Sequence, residues 1–246
     1  MKVSKQSLTS ARQGVLDSLP ITVSIILFGV IFGMLSLQAG LSGSQAVLMS
    51  FTVYAGAAQF TALSMLADQA DLWAIVLACF LLNSRHLLMG LSMSPYYQKF
   101  SFAQVNLFAF FLTDEQYAIT LNRFRHQQSD AAYIIAVGLS LYIGWCSGTW
   151  LGTIAGKWFP DPASLGLGFS FTAMFLALAY YQLTSPLRIA VFLLCGTAAA
   201  GLSLLLPSGL HLLAAGVIAF AIGYCLPVKK EDQAESTKCA GEVGTA

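Results

Sequence analysis

From Leu19 to Ala39 the chain carries no charged side chain. The same holds from Gln45 to Leu66, from Ala131 to Ala155 and from Leu165 to Leu183. A bilayer core takes ~20 residues of helix to cross. Backbone amides in lipid are satisfied only inside helices or closed barrels. Unbroken apolar runs of this length define helical crossings. Only 9% of the 246 residues are charged and 57% are hydrophobic, against ~25% charged in soluble domains. The chain therefore reads as an all-α membrane protein, a polytopic bundle of about eight transmembrane helices.

The exception to the pattern is Asn83-Ser84-Arg85-His86, inside the apolar stretch Trp73 to Tyr96. Taken as one helix, that stretch puts Arg85 ~18 Å in, near the bilayer centre. An arginine there costs on the order of 3 kcal/mol on insertion scales. It needs a partner.

The expected segments run in order. Segment 1 is Leu19 to Ala39, after Asp17-Ser18-Leu19-Pro20; Asp17 or Ser18 is placed to cap its amides, and Pro20 suits a first turn. Its length exceeds a signal-peptide core, so it is expected to stay in the mature chain. Gly29 and Gly33 make a step that lets backbones approach. Segment 2, Gln45 to Leu66, contains Tyr54-Ala55-Gly56-Ala57-Ala58-Gln59-Phe60. It is either a tight packing surface with Gln59 bonded across it, or an interrupted helix that exposes backbone to a substrate. Segment 3 holds Arg85. Segment 4, Phe102 to Phe124, carries Asp114-Glu115 midway. As one crossing it puts the acids at the depth of Arg85. Otherwise its apolar part is a re-entrant half-helix and the acids begin a loop running to Asp130. Segment 5, Ala131 to Ala155, precedes Gly156, and Gly144, Gly148, Gly152 and Gly156 recur every fourth residue. They form one smooth face for a helix of this chain or for a partner. Segments 6, 7 and 8 are Leu165 to Leu183, Leu187 to Leu206 and Leu210 to Leu226.

The organisation is then an N-terminal arm (1–18), a transmembrane domain (19–226) and a polar tail (227–246). With eight crossings and both termini cytoplasmic, Lys2, Lys5, Arg12, Arg123, Arg125, Arg188, Lys229, Lys230 and Lys238 lie inside. Lys99 and Lys157 lie outside, as the positive-inside rule asks.

The polar groups near mid-depth are Tyr54, Gln59, Asn83, Arg85, His86, Asp114 and Glu115, with Gly56 and Phe60 beside them. An ion pair between Arg85 and one acid would offset the cost of burial. The second acid, or His86, is then a candidate proton carrier. A pair that only fixes helix packing is the plainer alternative. Asp68 and Asp71 read as solvated loop residues. Cys79, Cys146, Cys195, Cys225 and Cys239 show no metal or redox spacing, and His86, His126 and His211 form no metal motif. No metal or cofactor is expected. A net charge of +1 suggests no nucleic acid.

With these residues in place, the chain resembles the AzlC-type large subunit of bacterial branched-chain amino acid exporters. The resemblance rests on Asp17-Ser18-Leu19-Pro20, the Phe28 to Gly33 step, Tyr54 to Phe60, Asn83-Ser84-Arg85-His86 with Gly90, and Leu112-Thr113-Asp114-Glu115. It spans roughly residues 15–225. The chain departs from the family at Ala58, where serine is common, at Asn83, where an acid is common, and at Met89, where tyrosine is frequent. The resemblance implies a secondary exporter of valine, leucine and isoleucine in the bacterial inner membrane. It also implies a small AzlD-type membrane subunit, which the glycine face of segment 5 would accommodate. A channel or structural subunit and an intramembrane enzyme are the alternatives. The chain lacks rings of like charge, a G-x-S-x-G nucleophile site and a nucleotide-binding motif.

Overall fold

The computed structural model describes residues 5–126, 130–158 and 186–204, with isolated positions at 169, 176, 180, 183, 214, 217, 218, 221 and 222. Apart from those isolated positions, segments 6 and 8 and the polar tail fall outside them. Among the described residues the elements are α1 (Lys5–Gln38), α2 (Gly43–Thr52), α3 (Gly56–Ala67), α4 (Leu72–Asn83), α5 (Arg85–Tyr97), α6 (Phe102–Phe110), α7 (Asp114–His126), α8 (Ala131–Trp158) and α9 (Pro186–Ser203). The all-helical membrane fold is as expected.

Among the described residues, three stretches are long and apolar enough to cross a membrane: Ser7–Gln38, Leu72–Tyr97 and Ala131–Trp158. The first and third form the frame. α1 and α8 run parallel with their backbones in contact. Gly14 faces the Tyr133 carbonyl, Gly29 that of Trp145 and Gly33 that of Thr149, while Gly148 meets Ile26, Gly152 meets Val30 and Gly156 meets Met34 and Leu37. A side chain at most of these positions would hold the helices apart. The glycine face of segment 5 is therefore filled by α1, so of the two expected occupants a helix of this chain is the one found.

Residues 17–20 are not a helix start. α1 already runs from Lys5, which puts Pro20 inside it. Ser18 Oγ donates to the Val15 carbonyl, and the Asp17 carboxylate accepts from the Tyr133 hydroxyl at 2.8 Å. The Thr22 and Ser140 hydroxyls add a further α1–α8 bond at 3.1 Å.

Segments 2 and 4 are pairs of half-helices that fold back rather than single crossings. α2 starts beside the end of α8, where Gly43 faces Thr153. Its far end reaches the middle of α8, where the Tyr142 hydroxyl donates to the Phe51 carbonyl. α3 then returns. Met49 of α2 packs with Ala62 and Met65 of α3 and with Ile75 and Ala78 of α4. The second hairpin enters from the opposite end. Phe108 of α6 and Phe124 of α7 share a cluster with Tyr97 and with Ile134, near the start of α8. The turn between α6 and α7 reaches the middle of α8, with Phe111 against Gly138. Each half-helix has 9 to 13 residues, short of the ~20 that a crossing needs. For segment 4, the re-entrant alternative is the one found. The acids open a helix, however, not a loop.

The return of α6–α7 also moves Lys99. Expected on the side opposite Arg123 and Arg125, it lies at their end, with Nζ 5.3 Å from the Phe100 ring centroid and 5.8 Å from that of Phe124. α4 and α5 act as one long helix with a local break at Ser84, whose backbone stays near helical values. One crossing between α1 and α8 is what their parallel arrangement requires.

Candidate functional site

Three helix breaks converge midway along α8. The first is Val53-Tyr54-Ala55, between α2 and α3. Tyr54 adopts φ +43°, a left-handed conformation that is strained for a bulky residue. Its ring stacks on Phe110 at 6.4 Å and meets Tyr142 edge-on at 4.9 Å. Phe110 ends α6, so the tips of the two hairpins touch. The Tyr54 hydroxyl is buried and forms no well-aligned hydrogen bond among the described residues; Thr113 and the Glu115 carboxylate are its polar neighbours.

The second break is Phe111-Leu112-Thr113. Thr113 caps α7, its hydroxyl accepting from the Gln116 amide at 3.3 Å. Asp114 and Glu115 occupy the first turn of α7, where free amides and the helix dipole favour negative charge. The third break is Ser84. Its hydroxyl donates to the Leu81 carbonyl at 2.6 Å, and Arg85 begins α5 directly after it. Arg85 Nη1 lies 2.8 Å from Asp114 Oδ2. The expected counter-charge is therefore present, and it is Asp114. Both side chains are about one-third exposed (32% and 34%), so the pair is reachable rather than sealed. His86 Nδ1 lies 3.0 Å from the Asn83 carbonyl. A carbonyl only accepts, so Nδ1 carries the hydrogen.

The other expected residues divide. Gln59 is fully buried. Its Oε1 accepts from Trp145 Nε1 at 3.0 Å and from the Ala55 amide at 3.3 Å, and its Nε2 donates to the Ser50 hydroxyl at 3.2 Å. Ser50 bonds on to Thr149 at 2.8 Å. This network joins the first hairpin to α8. Phe60 packs edge-on against Phe32 (5.4 Å) and Trp145 (6.2 Å). Gly56 lies against Trp145; an added Cβ would come within 3.1 Å of its ring. Gln59, Phe60 and Gly56 thus hold the first hairpin on the frame. Tyr54, Asn83, Arg85, His86, Asp114 and Glu115 surround the breaks.

Sequence reasoning missed Gln116 and Thr120. Both are fully buried. Both amide atoms of Gln116 and the Thr120 hydroxyl lack hydrogen-bond partners among the described residues, as do Asn83 Oδ1 and Arg85 Nε. Each such group costs ~1–3 kcal/mol where it lies. A neutral glutamine two residues after an acid gives no signal in a hydropathy pattern.

Opposed half-helices meeting around an ion pair define a polytopic membrane protein with a polar site inside its helical bundle. The chain belongs to the AzlC protein family, whose model matches residues 20–159. It is 33% identical over 172 residues to an uncharacterized membrane protein of Helicobacter pylori, covering 68% of this chain and 74% of that one. It is 33% identical over 178 residues to the inner membrane protein YgaZ of Escherichia coli, covering 69% and 73%. To the branched-chain amino acid transport protein AzlC of Bacillus subtilis it is 25% identical over 166 residues, covering 67% and 65%. No solved structure matches the chain.

Proposed function

We propose that this chain is the large subunit of a secondary exporter of branched-chain amino acids in a bacterial inner membrane, working with a small AzlD-type membrane subunit. The observation that carries the reading is the partly exposed Arg85–Asp114 pair where the hairpin tips meet. A zwitterion can insert into such a pair without net change of charge. Its carboxylate takes Arg85 and its ammonium takes Asp114, with Glu115 beside it. One ion pair becomes two. The open N-terminus of α3, which has no side-chain cap, adds a favourable dipole for the carboxylate. The rings of Phe110, Tyr54 and Tyr142 offer an apolar surface to a valine, leucine or isoleucine side chain.

The end of the molecule that carries Lys5, Arg12, Lys99, Arg123 and Arg125 is assigned to the cytoplasm by the positive-inside rule. The opposite end carries Lys157 at the end of α8. With no nucleotide-binding motif, the driving force is an ion, proton or substrate gradient. The AzlC transport protein of Bacillus subtilis supports the substrate class. The small subunit docks away from the glycine face, which α1 occupies.

The test is valine efflux from preloaded liposomes, with wild type and Arg85→Ala, each alone and with the small subunit. Efflux is expected from the wild-type pair of subunits and not from the variant. Equal rates in both would remove Arg85 from the site.

A further inference from the structure

Resting on the export reading, we infer that the face of α7 formed by Gln116, Thr120 and Arg123 is the inner access route of the site. It is a polar seam that binds the backbone groups of a zwitterionic amino acid, and accompanying water, on the way to the Arg85–Asp114 pair. At 100° per residue the three positions fall within an arc of about 60°. They begin two residues, about 3 Å of rise, after Asp114, about 150° round α7 from it, and lead to the end that carries Lys99 and Arg125.

The seam is bounded by apolar packing on both sides. Ile119 joins the cluster of Phe111, Tyr133 and Val137. Tyr117, Leu121 and Phe124 join the cluster of Phe108 and Ile134. The two clusters meet on α8, so the residues flanking the seam there are Ile134 and Val137, both fully buried. Carboxamide and hydroxyl groups held against aliphatic side chains suit a ligand with a polar backbone and a branched apolar side chain.

These groups stand unsatisfied among the described residues. Gln116 and Thr120 have 0% exposure, and their side-chain polar atoms, like Arg123 Nε, have no partner among the described residues. At the inner end Arg123 Nη2 donates to Gln13 Oε1 at 3.1 Å and its guanidinium lies over the Tyr133 ring at 4.8 Å. That plug closes the seam against α1 and α8. A packed core would place aliphatic side chains at 116 and 120 and lose nothing. Their polar atoms find partners when α7 separates from α8 and substrate or water enters.

The experiment separates this role from a structural one. Gln116→Leu and Thr120→Val remove unpaired polar atoms at similar volume, so neither is expected to lower the melting temperature in detergent. Valine efflux is expected to fall at least tenfold in Gln116→Leu. Wild-type efflux in both variants would overturn the inference, and so would a lowered melting temperature, which would reveal a structural partner. Thr120→Cys supplies a readout independent of transport. A membrane-impermeant thiol reagent, applied from the Arg123 side, is expected to modify it above the background of the native cysteines. No modification with or without valine would refute an access route there. If wild type moves no amino acid yet Thr120→Cys is modified, the export reading fails and the aqueous seam stands.

Discussion

Gly152→Ala tests the frame on which both hairpins rest. A Cβ at that position meets the Val30 carbonyl carbon at 2.8 Å and its Cα at 2.9 Å, with the carbonyl oxygen closer still. Real Cβ atoms essentially never approach closer than 3.0 Å. The obstacle is backbone, so no side-chain rotation relieves it, and α1 and α8 must separate locally. Overpacking of this kind costs ~1–3 kcal/mol, and a contact with three backbone atoms belongs at the upper end. Alanine regains ~1 kcal/mol of helix propensity over glycine. The net loss is about 2 kcal/mol, or roughly thirtyfold in the folded-to-unfolded ratio. Gly90→Ala is the internal control, because nothing lies within 4 Å of its Cβ position. It keeps the propensity gain and should be more stable than wild type. The assay is reversible unfolding in mixed micelles, followed by the fluorescence of Trp145 and its neighbours. Equal stability of the two variants would refute the backbone-contact argument.

Two further outcomes follow from the geometry of the site. Arg85→Asp and Asp114→Arg singly should each lower stability by about 1–2 kcal/mol, the cost of breaking a pair discounted for its partial exposure. The double swap should recover most of that loss, and a double-mutant cycle in detergent unfolding checks it. Gln59→Leu should strand the buried Trp145 N–H and cost ~1–3 kcal/mol, read as a lowered unfolding midpoint.

The charge pair was legible because arginine in lipid is costly and the acids of the next apolar segment fall at a similar distance from its start. The glycine face was legible because four glycines at one period have a single geometric reading. What filled that face was not legible, since a smooth surface does not say whether its complement lies in the same chain. The fold-back of segments 2 and 4 was only half visible. Tyr54-Ala55-Gly56 weakens a helix, but hydropathy is blind to direction, and a hairpin of two apolar half-helices scores like one crossing. Lys99 was misplaced for the same reason. Gln59 read equally well as a pathway residue or a structural one until its bonds to Trp145 and Ser50 were seen. Gln116 and Thr120 were invisible because being unpaired is a property of surroundings, not of residue type.

The contact between α1 and α8 has a mechanical consequence. Two helices that touch through carbonyls and Cα atoms at Gly29, Gly33, Gly148 and Gly152 have no cushion of side chains in which to slide. They behave as a single rigid stator. Relative movement against that stator then falls to the two hairpins. The first is tied to that stator by the Gln59–Trp145 bond. The second rests on it through ring packing, with Phe111 in the notch at Gly138 and Phe108 on Ile134, and through an exposed bond from Arg123 to Gln13. Held by rings and an exposed bond rather than by a buried polar chain, α6–α7, which carries Asp114, is the element freer to swing.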